Sequence, residues 1–405
     1  MTKLHRVNDE PRRPRASPRA WVFATLVVCA AFGDFSTGLL TPAMPLLGAQ
    51  YGESPLRVQG LLVGFAVMFA LGQLFFGPFS DRRGRRQALT IGALLTLLGS
   101  LCAGLADELG LMIAGRAVQG LGAGAGYVVA RAMMRDLYGP SGVAKAMALL
   151  FTLMATLFLL APLLGGVLLT LAGWRAGFFL AAGLAAAWLV SVRWLMPETT
   201  TPSKALSGVG VAGMYLGLFR SRSFVGHLLT HATAYGGLYC FVAGAPHVFI
   251  QGQGLSPASF GTLAALVMSG FLLGALAVRH IGPKLGMPRS ITWSLVLMFS
   301  ASLCLIGLAR WTHMSASVLL GLEFVFWFGA GALAPNTAAG VMLAHPQATG
   351  AAAAVLGFVQ MCVAGFAAAV QGLIVDGSVL PMLVPQAAFA FIALGVWRHH
   401  QRHAA

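Results

Sequence analysis

Three ionisable side chains stand inside otherwise apolar stretches: Asp34 in CAAFGDFSTGLL, Arg116 in LMIAGRAVQG and Glu323 in LLGLEFVFWF. A charge held in hydrocarbon surroundings is costly unless it is paired, solvated or able to change protonation, so such residues mark ion or substrate pathways. At about 1.5 Å per helical residue, Asp34 lies roughly 20 Å from the inner end of its apolar run. Arg116 and Glu323 lie roughly 10 and 12 Å from the outer ends of theirs. In a hydrocarbon core about 30 Å thick these levels nearly coincide. The spacing therefore predicts one cavity holding all three, in which an acid takes up a proton from outside and releases it inside. A Glu323–Arg116 ion pair is the structural alternative for that acid. His227, His231, Tyr235 and Tyr239 recur every four residues, a polar, aromatic stripe on one helix face. The cavity is expected to include Asp34, Arg116, Gln119, Tyr127, His231, Tyr235, Tyr239, Trp327 and Asn336.

The elements that must position these groups follow from composition. The chain has 405 residues, 58% hydrophobic and 9% charged, with mean hydropathy +0.81, far from the balance of a soluble domain. Apolar runs of membrane-crossing length recur near 21–43, 56–79, 88–106, 109–131, 144–170, 177–196, 224–249, 257–279, 290–309, 315–342, 350–373 and 379–397, which predicts twelve transmembrane helices. The net charge of +15 is spread through the gaps between these runs rather than gathered on one module, which argues against nucleic acid as a partner. Cys29, Cys102, Cys240, Cys304 and Cys362 lie within apolar runs without metal-ligand spacing, as small core residues do. No nucleophile, metal or phosphate-loop motif is present, so neither an enzyme, a cofactor nor ATP-driven transport is expected.

Residues 1–20 are basic, proline-containing and polar, a tail unable to bury a core. With that tail cytoplasmic, every Lys and Arg falls on the cytoplasmic side except Arg57, Arg175, Arg310 and the intramembrane Arg116, which predicts both termini inside. The polar interruption at 197–223 separates an N-terminal six-helix bundle, 21–196, from a C-terminal one, 224–397, followed by a short tail, 398–405. Repetition supports the division. Leu71-Gly72 and Gly84 recur 202 positions later as Leu273-Gly274 and Gly286, with Pro283 in place of Asp81.

The stretch GQLFFGPFSDRRGRR, Gly72 to Arg86, sets a glycine-spaced apolar helix end against one acid and several arginines. It resembles the loop that the major facilitator superfamily carries between its second and third helices. LMIAGRAVQGLGAGAG, with Arg116, Gln119, Gly120 and Gly122, looks like the same family's fourth-helix motif, and its glycines also suit close helix contact. Ala161-Pro162-Leu163-Leu164-Gly165-Gly166 resembles the motif that the antiporters of the family place in the fifth helix, with Ala161 where its first glycine stands. The resemblance implies two pseudo-symmetric six-helix bundles with a binding site between them. It also implies conformational gating by Gly72, Gly77, Asp81, Arg82, Gly84, Arg85, Arg86, Pro162, Gly165 and Gly166, with Asp81 facing the start of the eleventh helix near Gly350.

Ser36-Thr37 with Pro42-Ala43-Met44-Pro45, then Pro197-Glu198-Thr199, then Pro335-Asn336-Thr337-Ala338 are similar to the bicyclomycin-resistance-like drug/proton antiporters. That branch usually has an acid directly after the Ser-Thr pair. Here Gly38 stands there, and Asp34 lies one turn earlier, about 6 Å nearer the cytoplasm. The resemblance implies a monomeric, proton-coupled exporter of small amphipathic molecules in the inner membrane, its partners being protons, small-molecule substrates and the bilayer. Proton coupling then falls to Asp34, Glu323 and Arg116. An exporter dedicated to one endogenous metabolite such as a siderophore is the second reading, and a non-transporting receptor or scaffold the third.

Overall fold

A computed structural model describes residues 20–200, 211–311 and 316–404. The expected basic tail, apart from Ala20, and part of the central polar stretch lie outside these residues. The first apolar run is α1, Ala20–Leu40, continued through a tight turn at Thr41–Ala43 into α2, Met44–Tyr51. Pro42 and Pro45 lack amide donors, and the helix tightens where their bonds are missing. α3 is Pro55–Arg83 and α4 Arg85–Leu105. α5 runs from Leu109 to Ala172, broken by non-helical Gly139 into two arms. α6 is Arg175–Trp194, and a short α7, Val211–Leu218, lies within the central polar stretch. The second half holds α8, Arg222–Pro246, which passes into a wide π turn at His247–Gly252, then α9, Pro257–Leu285, and α10, Met287–Trp311. It ends with α11, Ala316–Leu343, α12, Thr349–Ile374, and α13, Leu380–Ala404. Among the described residues there is no strand.

Among the described residues, ten helical stretches are long and apolar enough to cross a membrane. The first arm of α5 and α8 have the length but fall outside that group, because they carry much of the polar chemistry discussed below. Two expectations change. The runs 109–131 and 144–170 are not separated by a loop, since Arg131 to Tyr138 are good enough helix formers to continue the helix beyond its apolar part until Gly139-Pro140 breaks it. The stretch expected as a tail from 398 is helical to Ala404.

The half-repeat is visible in how helices begin and end. α3 and α9 each have 29 residues. Each starts at a Ser-Pro pair whose serine hydroxyl accepts a hydrogen bond from the amide three residues on, Arg57 or Ser259. Each stops at a glycine with positive φ, Gly84 at 103° and Gly286 at 77°. A serine N-cap, a proline in the first turn and a left-handed glycine stop are mutually consistent boundary signals.

Packing divides the helices into two sets. α1, α3 and α4 gather on α5, with α6 on α4; α8 packs with α11, α12 and α13, while α11 also holds α9 and α10. The sets meet where α3 lies on α12 and α5 on α9. Close approach depends on missing side chains. Gly166 lies against the backbone of Pro257 and Gly261 against that of Pro162, so each seam helix presents a glycine to the other. Between α3 and α8, Gln59 Nε2 donates to the Ala243 carbonyl at 2.9 Å. Within the second set, a methyl at Gly274 would collide with the Phe328 carbonyl, and one at Gly331 with that of Phe271. Gly274→Ala is expected to cost about 1–3 kcal/mol through overpacking, seen as a lower unfolding midpoint of the purified protein in detergent.

Candidate functional site

Where the sets face each other, α1 and the first arm of α5 oppose α8 and α12. Asp34 is partly accessible although the α1 residues on either side of it are buried. It forms no hydrogen bond or ion pair among the described residues. Its carboxyl group lies within electrostatic range of the Tyr235 and Tyr239 phenols on α8. Those rings pack at 5.4 Å between centroids. Tyr239 is also within range of Arg116, and Tyr235 of Tyr127 and Gln360. His231 completes this wall, its Nδ1 2.8 Å from Thr337 Oγ1 and its Nε2 3.1 Å from Gln360 Oε1.

Arg116 is fully buried, yet among the described residues no carboxylate pairs with it. Its Nε donates to the Leu61 carbonyl at 3.3 Å. Nη1 reaches Ser36 Oγ at 3.3 Å and Gln119 Oε1 at 2.5 Å, and Nη2 reaches Thr37 Oγ1 at 3.3 Å. The Phe65 ring lies 4.1 Å from the guanidinium carbon. Neutral dipoles and a π face thus hold the cation. The expected single cavity for all three charges is therefore not what forms. Glu323 is fully enclosed between α11 and α13, bonded by Gln386 Nε2 at 3.1 Å, with Oε1 unpartnered among the described residues. It pairs with neither Arg116 nor Asp34. Equal depth did not imply adjacency, because α11 turns Glu323 toward α13.

Other expected cavity residues are redistributed in the same way. Gln119 is buried and turns its Nε2 to Ser100 Oγ at 2.7 Å, so it braces Arg116 from behind. Trp327 is fully buried and packs 6.0 Å from Phe158 and 5.8 Å from Phe241. Asn336 ties α11 to α10 through Ser290 Oγ at 2.9 Å. His227 leaves the stripe, packing 5.3 Å from Trp397 and 5.0 Å from His400. Four residues advance a helix by 400°, so a four-residue stripe drifts about 40° per step and carries His227 away from the face of Tyr239.

At the end bearing the α3–α4 turn, Asp81 pairs with Arg85 at 2.5 Å and Arg85 Nε also reaches Asp136 at 3.2 Å. Glu198 caps α4, accepting from the amides of Arg85 at 2.9 Å and Arg86 at 3.1 Å, a carboxylate at the positive end of a helix. Arg86 also donates to the Arg193 carbonyl. Arg82 is exposed. Asp81 and Gly350 line one cavity, but the aspartate's ion pair is with Arg85, within its own bundle. Gly72 lies against the Leu121 backbone, Gly77 near Tyr215, and Gly165 against Leu39.

A sequence model described as the Major Facilitator Superfamily matches residues 26–370. The chain belongs to that superfamily. It is 30% identical over 356 residues to Multidrug resistance protein D of Escherichia coli, covering 86% of this chain and 88% of the relative. It is 25% identical over 380 residues, 91% and 93% of the two chains, to a Bicyclomycin resistance protein homolog of Haemophilus influenzae. A bacterial homolog of the human lysosomal transporter Spinster, solved inward-facing and unoccupied, superposes with a TM-score of 0.76 at 15% identity over 95% of this chain and 97% of that one. This facilitator is thus a multi-pass membrane transporter with the all-α fold of the family, and not an enzyme.

Two departures of this facilitator from the antiporter pattern are one event in space. A Cβ at Gly38 would lie 2.6 Å from the Ala161 Cβ and 3.3 Å from Pro162 Cδ. The Ala161 methyl occupies the room that an acid after Ser36-Thr37 needs, and a glycine at 161 would vacate it. Gly38→Asp alone is expected to cost about 1–3 kcal/mol by overpacking, and Gly38→Asp with Ala161→Gly to recover most of that loss in a thermal melt. Equal melts for the single and double variants would show the two positions to be unrelated. Sequence reading did not single out Asp136, Gln360 or the bonds of Ser36 and Thr37. The hydroxyl pair was visible as a motif; nothing local announced that its partner was Arg116, 80 and 79 residues away.

Proposed function

We propose that this transporter exports small amphipathic molecules in exchange for protons, with Asp34 as the group that gains and loses the proton. The observation that carries this reading is the placement of Asp34 at the junction of the two bundles, partly accessible and without an ion-pair partner, while Glu323 is sealed inside one bundle. An unpaired carboxylate in such surroundings is costly when charged, so it binds a proton unless solvent or a cationic group of the substrate stabilises the charge. Proton and substrate then compete, which is the linkage an exchanger needs. Tyr235, Tyr239, His231 and Gln360 supply a hydrogen-bonding wall, and the aromatic rings supply apolar area, an arrangement suited to amphipathic solutes. The E. coli and H. influenzae relatives, named for multidrug and bicyclomycin resistance, support this substrate class.

In this reading the protein lies in the inner membrane with both termini and the α3–α4 turn cytoplasmic, as the basic residues require. Asp81, Arg85, Asp136 and Glu198 brace the cytoplasmic end of the N-terminal bundle while α3–α12 and α5–α9 rock. In energised everted vesicles, an exported compound is expected to dissipate a preformed proton gradient in proportion to its uptake. Uptake that leaves the gradient unchanged would show that transport is not proton-coupled.

A further inference from the structure

At the end bearing the α3–α4 turn, a cavity of about 460 Å³ lies between the bundles. Its wall joins apolar Met147, Phe151 and Met342 to Asp81, Arg85, Arg131 and Arg135. Asp81 and Arg85 pair at 2.5 Å, and Arg85 also contacts Asp136. Arg131 and Arg135, one turn apart on the first arm of α5, stand outside these pairs, and the five groups together carry one net positive charge.

Neither arginine is balanced by what surrounds it. Arg131 lies 3.9 Å over the Tyr127 ring and donates through Nε to the Tyr127 carbonyl at 3.1 Å. Its Nη2 is covered by neighbouring groups and has no hydrogen-bond partner among the described residues, so an anion in the cavity reaches it only when the half-buried side chain swings toward the cavity. A buried cationic donor without an acceptor is unfavourable. Opposite, α12 begins at Thr349 with no side-chain cap, and Thr349 and Gly350 line the cavity. Arg135 Nη1 sits 3.9 Å from where a Cβ on Gly350 would be. A guanidinium and the positive end of a helix therefore face each other, an arrangement that an anion between them reconciles.

We propose that this cavity binds an amphiphilic anion. A phosphate or carboxylate is held by Arg131, Arg135 and the first amides of α12, and its hydrocarbon part rests on Met147, Phe151 and Met342. Arginine suits this task because its planar fork offers paired donors to such oxyanions. The site does not include Asp34 and stands whether or not transport is proton-coupled. An acidic phospholipid headgroup and a soluble amphiphilic anion share the chemistry.

The test is calorimetric titration of the full-length protein in nanodiscs of phosphatidylcholine with octyl phosphate below its micellar concentration. Octyl glucoside serves as the control. Octyl phosphate is expected to bind at least tenfold more tightly than it does. Arg131→Gln and Arg135→Gln should each weaken it tenfold or more, and Asp34→Asn should leave it unchanged. Arg135 is exposed, so its variant keeps the test decisive if Arg131→Gln does not fold. Binding no tighter than that of octyl glucoside, or full affinity in Arg135→Gln, overturns the proposal. Native mass spectrometry from phosphatidylglycerol nanodiscs separates the sources. Acidic lipid retained by the wild type and lost from the double variant identifies a headgroup; octyl phosphate binding without lipid retention identifies a soluble anion.

Discussion

Asp34→Asn is expected to reduce proton-driven export in everted vesicles to the level of vesicles lacking the protein, while the variant keeps the wild-type unfolding midpoint. Asparagine has the size of a protonated aspartic acid, and Asp34 makes no hydrogen bond or ion pair among the described residues that the change would break. The fold therefore loses little, whereas the carboxyl group proposed to exchange the proton is gone. Energy-independent exchange of labelled for unlabelled substrate should persist, because rocking of a permanently neutral site does not require titration. Loss of exchange as well as of driven export would point to a structural role for Asp34. Normal driven export with normal proton release would move coupling elsewhere, and Glu323→Gln would be the next variant to measure.

Arg116→Ala is expected to fail at the level of folding as well as transport. The guanidinium serves the Leu61 carbonyl, Ser36, Thr37 and Gln119 at once. Truncation leaves Gln119 Oε1 without its donor, at about 1–3 kcal/mol, and opens a buried cavity beside Phe65, at about 2–5 kcal/mol for a large side chain, while Ser36 and Thr37 keep their bonds to the Gly33 carbonyl. Even partial relaxation leaves a loss of several kcal/mol against a total stability of about 5–15 kcal/mol. The variant should melt well below the wild type and be recovered in low yield. Arg116→Lys keeps the charge but cannot reach acceptors spread over α1, α3 and α5, and it should fall between the two. A wild-type melt for Arg116→Ala would mean that water or neighbouring side chains take over these bonds and that Arg116 does not organise the N-terminal bundle.

The alternative of a Glu323–Arg116 ion pair does not hold, because the partners of Arg116 are hydroxyls, an amide and a carbonyl. From the sequence, Arg116 in the middle of an apolar run had to have partners, and Ser36-Thr37 and Gln119 were visible in motifs. What joined them was the packing of α1 onto α5, a contact between residues about 80 positions apart. The same limit explains the coupled pair Gly38 and Ala161, which read as two unrelated departures until α1 and the second arm of α5 were seen to touch there.

What the chain determines by itself is the kind of object it is. Long apolar runs, basic residues sorted to alternate gaps, and Ser-Pro starts and glycine stops repeated 202 positions apart specify helices, their order and an internal duplication, because these are local properties of the backbone and its solvent. They also assign each buried polar residue a depth. Depth is one coordinate of three. Which way a helix turns its side chains, and which helix stands beside it, is decided by how glycine seams and side-chain volumes close around the bundles. That packing brought Asp34 to Tyr235 and Tyr239, and left Glu323, at nearly the same height, enclosed with Gln386.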